Sequence, residues 1–194
     1  MNQGKIIIIT APSGAGKTTI VKYLLNKYAG NLAFSVSAAT RKPRASEQNG
    51  VDYYFMSSEA FQQKIKENAF IEWEMVYEDK YYGTMRSELE RIWNMNKIPV
   101  LDIDVKGALH VQKQFPETSF SIFIMPPSEE ELRRRLESRG TETPESLLAR
   151  VNKAAYEMTF SRHFNAVVVN RVLEDACAEA EQLVTQFAGI EQGS

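Results

Sequence analysis

The chain has 194 residues, of which 43% are hydrophobic and 25% charged, with a net charge of −2 and a single cysteine. That length suits one compact domain with insertions, and that composition excludes a disordered or disulfide-stapled chain. The charge balance excludes a protein built to coat nucleic acid, and one thiol fits a reducing cytoplasm.

Residues Lys5–Thr10 contain four consecutive isoleucines and predict a buried strand. This run is too short for a membrane span and lacks a signal-peptide cleavage pattern, so a cytoplasmic chain without a membrane or nucleic-acid partner is expected. The next nine residues are Ala11, Pro12, Ser13, Gly14, Ala15, Gly16, Lys17, Thr18 and Thr19. They read as a glycine-rich turn entering a helix over Thr18–Tyr28, which Gly30 would end. Backbone N–H groups of such a turn converge on one point, and the helix dipole adds positive potential there. The spacing matches G-x-x-x-x-G-K-[ST], except that Ala11 stands at the first glycine. Gly14 and Gly16 let the backbone wrap an anion, Lys17 is set to reach the β- and γ-phosphates, and the Thr18 hydroxyl to ligate Mg²⁺. A plain strand–turn–helix connection is the alternative; the context favours a nucleoside triphosphate site.

Residues 35–84 are polar, aromatic and rich in tyrosine, and read as an inserted subdomain. Arg41 and Arg44, either side of Pro43, suit bidentate recognition of phosphate. Glu72, between Ile71 and Trp73, is either paired by a ligand or exposed on the polar face of an amphipathic strand. Further strands are expected at Ile98–Asp104, Phe120–Met125 and Ala166–Asn170. Helices are expected at Ser87–Asn96, Gly107–Gln114, Ser128–Ser138, Pro144–Thr159 and Glu174–Phe187. Apolar strands alternating with helices imply a three-layer α/β core around a parallel sheet. Asp102 and Asp104 end one strand at the edge where such sheets bind ligands; an acid there holds Mg²⁺ or caps the next helix.

Residues 127–150 are dense in charge, with Gly140 and Pro144 as hinge candidates. Glu129/Arg133, Glu130/Arg134 and Glu131/Arg135 stand i,i+4, so a solvated ion-pair face accounts for Arg133 and Arg134. Arg135 and Arg139 are like-charged at the same spacing and are better served by an anion between them. Cys177 sits on an apolar stripe with Leu173, Ala176, Ala180, Leu183, Val184 and Phe187, and reads as a core thiol. His110 and His163 read as structural.

The stretches SVSAATRKPRASEQNGVDYYF, FIEW, YYGT, LDIDVKGA, PPSEEELRRRLESRGTET and VVVN, together with the glycine turn, resemble the guanylate kinase family over nearly the whole chain. The resemblance implies a P-loop core (1–34, 85–126 and 151–194), a GMP-binding subdomain (35–84) and a lid (127–150). It implies ATP and GMP as substrates, Mg²⁺ as cofactor and no obligatory protein partner. Arg41, Arg44, Tyr53 and Tyr82 would hold the GMP phosphate, with Glu47 orienting the arginines. Ser37, Glu72 and Thr84 would read guanine, with Gly83, Asp102 and Asp104 alongside. Arg135, Arg139 and Arg150 would reach the ATP phosphates, and Asn170 the adenine. The catalytic charge would come from Lys17, Arg41, Arg44, Arg135, Arg139 and Arg150. The chemistry agrees, because guanine shows two donors, N1–H and the N2 amine, on one edge where adenine shows neither.

The chain departs from the family's commonest pattern at Ala38-Ala39, where hydroxyl residues are usual, at Ser46 for a glycine, and at Asn170-Arg171 for an Asn-Asp pair. None removes a charge that the chemistry needs. Two alternatives stay open: a related P-loop kinase with another acceptor, and a non-catalytic peptide-binding scaffold of the same fold.

Overall fold

The computed structural model of the chain describes residues 4–77, 79–138 and 144–191. In chain order its elements are β1 (Ile6–Thr10), α1 (Lys17–Lys27), β2 (Leu32–Phe34), β3 (Ala38–Ala39), β4 (Tyr54–Phe55), α2 (Ser58–Lys66), β5 (Phe70–Tyr77) and β6 (Lys80–Met85). There follow α3 (Arg86–Asn94), β7 (Ile98–Asp102), α4 (Val105–Gln114), β8 (Ser119–Met125), α5 (Glu129–Glu137), α6 (Pro144–Met158), β9 (Ala166–Val169) and α7 (Leu173–Ala188).

A parallel sheet in the order β2-β7-β1-β8-β9 forms the centre of the molecule. The isoleucine run is apolar on both faces because both are covered. Ile7 and Ile9 pack with Ile20 and Leu24 of α1 and Ala180 and Val184 of α7. Ile6 and Ile8 pack with Leu89 of α3 and Val105, Ala108 and Val111 of α4. Each of these four isoleucines is fully buried, which stabilises the fold by about 2 kcal/mol per side chain. This is the expected three-layer α/β core.

Two smaller units carry their own apolar clusters. The second sheet, β4-β3-β6-β5, is held by Ala38, Phe61 and Phe70, the two rings stacked 4.3 Å apart. Helices α5 and α6 share a cluster of Leu132, Leu136 and Ala154, with Leu147 and Val151 packed on it.

Several boundaries differ from expectation. Strand β7 stops at Asp102 because Asp104 leaves the ladder to cap α4, its Oδ1 accepting from the Gly107 N–H at 2.8 Å. Gly30 does not end α1; the helix stops at Lys27, and the Tyr28 N–H closes on the Leu24 carbonyl at 2.9 Å. On the stripe of α7, Cys177 is buried as expected, whereas Leu173 is exposed. The expected lid boundary at residue 150 falls inside α6. Arg139 and the hinge candidate Gly140 lie outside the described residues.

Candidate active site

Helix α1 begins at Gly16, a left-handed residue (φ 95°), without a side-chain cap. Its first-turn N–H groups therefore face outward toward any anion held by the preceding turn. Gly14 (φ 93°) is left-handed too, a conformation that glycine adopts without strain. Beneath the turn, the buried Asn170 side chain donates from Nδ2 to the Ala15 carbonyl at 2.7 Å. Asn170 thus braces the loop backbone. The turn opens onto a cleft of about 420 Å³ lined by Ala11–Thr19, Tyr53, Asp102, Asp104, Arg150, Lys153 and Glu157. Lys17 ion-pairs with Asp102 and donates to the Ile103 carbonyl at 3.2 Å, so the loop lysine is held at the carboxyl end of β7.

A second cleft of about 290 Å³ joins the first. Ser37, Glu72, Glu74, Val76, Tyr82, Gly83 and Ile103 line it, together with Lys17, Tyr53, Asp102, Asp104 and Lys153, which line both clefts. Glu72 on β5 lies opposite Thr84 on β6 and is only 6% exposed. Burial, with Asp104 nearby, pushes its carboxyl up to about 7 against the opposing hydrogen bond from Thr84. That bond runs from the Thr84 hydroxyl to Oε1 at 2.6 Å. Thr84 is itself fully buried and orients the carboxylate from behind. Of the two readings of Glu72, exposure on a polar face does not hold, because the carboxylate is buried at the second cleft. Space against it is left by Gly107, where a Cβ would stand 2.6 Å from Oε2.

Arg41 donates two bonds to Glu47, at 2.5 and 2.7 Å, and Glu47 accepts a third from the Arg44 N–H at 2.8 Å. The Arg41 hydrogen bonds hold the Glu47 carboxyl down to about 2. The Arg41 guanidinium lies 4.9 Å from the Tyr53 ring centre, and Tyr53 meets Tyr82 edge-on at 6.0 Å. Arg41 and Arg44 line a separate cleft with Thr40, Lys42, Asp79 and Lys80, which shares no lining residue with the other two. Glu47 therefore fixes the arginine fork, and Tyr53 links that fork to the inner cleft.

In α5, Arg135 donates to Glu131 at 2.8 Å and to the Asn170 carbonyl at 3.1 Å. This ties the helix to the residue that braces the loop. The other expected pairs re-partner, because adjacent i,i+3 and i,i+4 acceptors are equally in reach: Arg133 pairs with Glu137 and Arg134 with Glu131. His110 meets Glu74 at 3.5 Å. Three contributors were not singled out from sequence. Lys153 and Glu157 on α6 resemble any surface i,i+4 pair. Glu88 of α3 is buried and accepts from the Val36 N–H at 2.9 Å, bracing the segment that presents Ser37.

Among the described residues, no group of three or more His, Cys, Asp or Glu forms a metal cage. Nor is any helix there long and apolar enough to cross a membrane.

A parallel sheet whose central strand passes through a glycine-lysine turn into an uncapped helix defines a P-loop nucleotide-binding protein, here with a second cleft beside the first. The family described as guanylate kinase matches residues 3–187. A guanylate kinase of Bacteroides thetaiotaomicron is 47% identical over 95% of this chain and 90% of its own length. One from Chlorobium chlorochromatii is 46% identical over 96% and 97%. The crystal structure of guanylate kinase from Anaplasma phagocytophilum superposes with a TM-score of 0.74 at 30% identity, covering 94% of this chain and 85% of that one. The chain belongs to the guanylate kinase family. It is an enzyme, a nucleotide kinase of that family.

Proposed function

We propose that the chain transfers the γ-phosphoryl group of ATP to the phosphate of GMP, and of dGMP, within cytoplasmic purine nucleotide metabolism. The observation that carries this reading is the buried Glu72 carboxylate at the second cleft. A ligand offering two donors on one edge satisfies it, and adenine would add no donor to the one bond that Thr84 gives. A phosphate oxygen of GMP attacks the γ-phosphorus, and the bond to the β,γ-bridging oxygen breaks, leaving ADP and GDP. The acceptor is already an anion, so positioning and charge stabilisation carry the step.

The residues divide accordingly. The turn Ala11–Thr19 and Lys17 grip the donor phosphates. Arg41, fixed by Glu47, holds the acceptor phosphate with Arg44, Tyr53 and Tyr82. Glu72, set by Thr84, reads guanine with Ser37, Gly83 and the Asp102/Asp104 pair. Arg135, Arg139 and Arg150 steady the migrating group, and Asn170, expected at the adenine but buried beneath the turn on the Ala15 carbonyl, braces the donor loop instead. The four-stranded sheet unit then serves as the GMP-binding subdomain and α5–α6 as the lid. Mg²⁺ takes oxygen ligands and is held by one or two side chains plus phosphates. The Thr18 hydroxyl and Asp102 carboxylate at the donor cleft fit that donor set. Bound there, the ion would neutralise charge on the β- and γ-oxygens.

An acceptor panel of GMP, dGMP, AMP and UMP, followed by coupled ADP release, tests the reading. GMP should exceed AMP by about 10⁴-fold in kcat/KM. AMP or UMP matching GMP would overturn the guanine assignment, and silence with every acceptor would favour the scaffold.

A further inference from the structure

We propose that Lys153 is a further phosphate-binding residue for the transfer, a cation delivered by α6 to the junction of the two clefts. The inference rests on the ATP–GMP reading above. Lys153 lines the donor cleft, the acceptor cleft and the apolar cavity of about 210 Å³ beside them. It is the one residue of α6 on both nucleotide clefts, the others being Lys17, Tyr53, Asp102 and Asp104. Arg150, Lys153 and Glu157 are spaced three and then four residues apart, so a single face of the helix presents them. All three line the donor cleft.

Glu157 explains how the lysine is kept there. A carboxylate facing a triphosphate repels it, so its presence needs another account. Its Oε1 lies 3.7 Å from the Lys153 ammonium, a loose ion pair between a lysine that is 52% exposed and a glutamate that is only 13% exposed. At 3.7 Å the contact is longer than a hydrogen bond, so little is lost when the lysine leaves it. When phosphates of both nucleotides converge, Lys153 exchanges this partner for oxygens whose charge grows during transfer. A lysine does this as a mobile point charge, and does not need the planar fork of an arginine. Because Lys153 meets donor and acceptor together, its contribution appears only when both are bound.

The probe is a bisubstrate compound, adenosine and guanosine joined through a 5′–5′ pentaphosphate, with GMP alone as the control ligand. Wild-type turnover of ATP with GMP reports on the underlying reading. The ratio of probe affinities between Lys153→Met and wild type reports on Lys153. Lys153→Met should weaken the probe about 10- to 100-fold, and lower kcat by a comparable factor, the range of a charge-assisted contact. Lys153→Arg should stay within about threefold of wild type, and GMP alone should bind the Met variant as it binds wild type. The melting temperature should not move. Unchanged probe affinity in Lys153→Met overturns the proposal. So does a Lys153→Arg variant as defective as the methionine one, because a surface helix pair would then account for the effect.

Discussion

Burial raises the Glu72 carboxyl from its ordinary 4.5 to about 7, so its charge changes across neutral pH. If Glu72 reads guanine as proposed, the ionised form is the acceptor, and affinity for the base should therefore rise with pH through about 7. Guanosine is the appropriate ligand because it lacks a titrating phosphate; its inhibition constant against GMP, measured from pH 5.5 to 8.5, should show this inflection. Glu72→Gln should bind guanosine more weakly and show none. The same shift has a stability consequence of opposite sign. A carboxyl raised in the folded state stabilises fully below 4.5, and that contribution is lost as pH rises through 7. At pH 8 Glu72→Gln should thus be more stable than wild type, by at most about 3 kcal/mol, and the gap should close toward pH 4.5. Urea titrations at the two pH values check it. A variant less stable at pH 8 would mean that the Thr84 bond outweighs the burial of charge.

At the scale of elements, the seam between β1 and α1 depends on one glycine. A Cβ at Gly16 would stand 2.2 Å from the Asn170 Nδ2, in a backbone region that already disfavours L side chains. Gly16→Ala should therefore strain the loop by about 1–3 kcal/mol and dislodge Asn170 from Ala15. The readout is affinity for a non-hydrolysable ATP analogue, which should fall at least about tenfold while GMP affinity holds. The α1–α7 seam has a different device. Glu181 accepts from Tyr23, from Tyr28 at 2.6 Å and from Lys27 at 3.0 Å. Burial pushes its carboxyl up, but the three donors outweigh it and hold it down to about 2. Its contribution is present above 4.5 and lost as pH falls toward 2. Glu181→Ala should destabilise by about 2 kcal/mol at pH 7, and by less at pH 3, read as the shift in urea midpoint. How legible each element was in sequence follows from length and period. The long helices and apolar strands announce themselves because burial dictates their pattern. Strands β2, β3 and β4 hold three, two and two residues, too few for alternation to register. Helix α2 was absorbed into the polar insertion because Phe61 is its only buried side chain. The glycine turn was readable because its spacing is dictated by an anion. The contacts of Asn170 and Glu88 and the position of Lys153 at the clefts were not, since each depends on elements distant in the chain.

The described residues form four apolar clusters, one on each face of the central sheet, one in the second sheet and one between α5 and α6, with polar clefts beside them. The sheet of β3–β6 has its own core, and so do α5 and α6, so each unit can shift without breaking its interior. Between them lie Lys17 on Asp102, Arg41 on Glu47 and Lys153 on Glu157, cations held by protein carboxylates. On the proposed ATP–GMP reading, either nucleotide alone would supply phosphate to one side only. Both together would supply ligands to every unit, and the gain would then favour drawing the units inward, which would also keep water from competing as acceptor. Energy transfer between dyes at Val51→Cys, beside the second sheet, and Leu148→Cys, on α6, tests this. Both native side chains are more than half exposed, at 59% and 58%, whereas the native Cys177 is buried and poorly placed to react. Transfer efficiency should rise when GMP and a non-hydrolysable ATP analogue are added together, and change less with either alone. Equal efficiency in all four conditions would mean that the clefts are already arranged for transfer, with the cations of α5 and α6 needing only side-chain rotation to reach the phosphates.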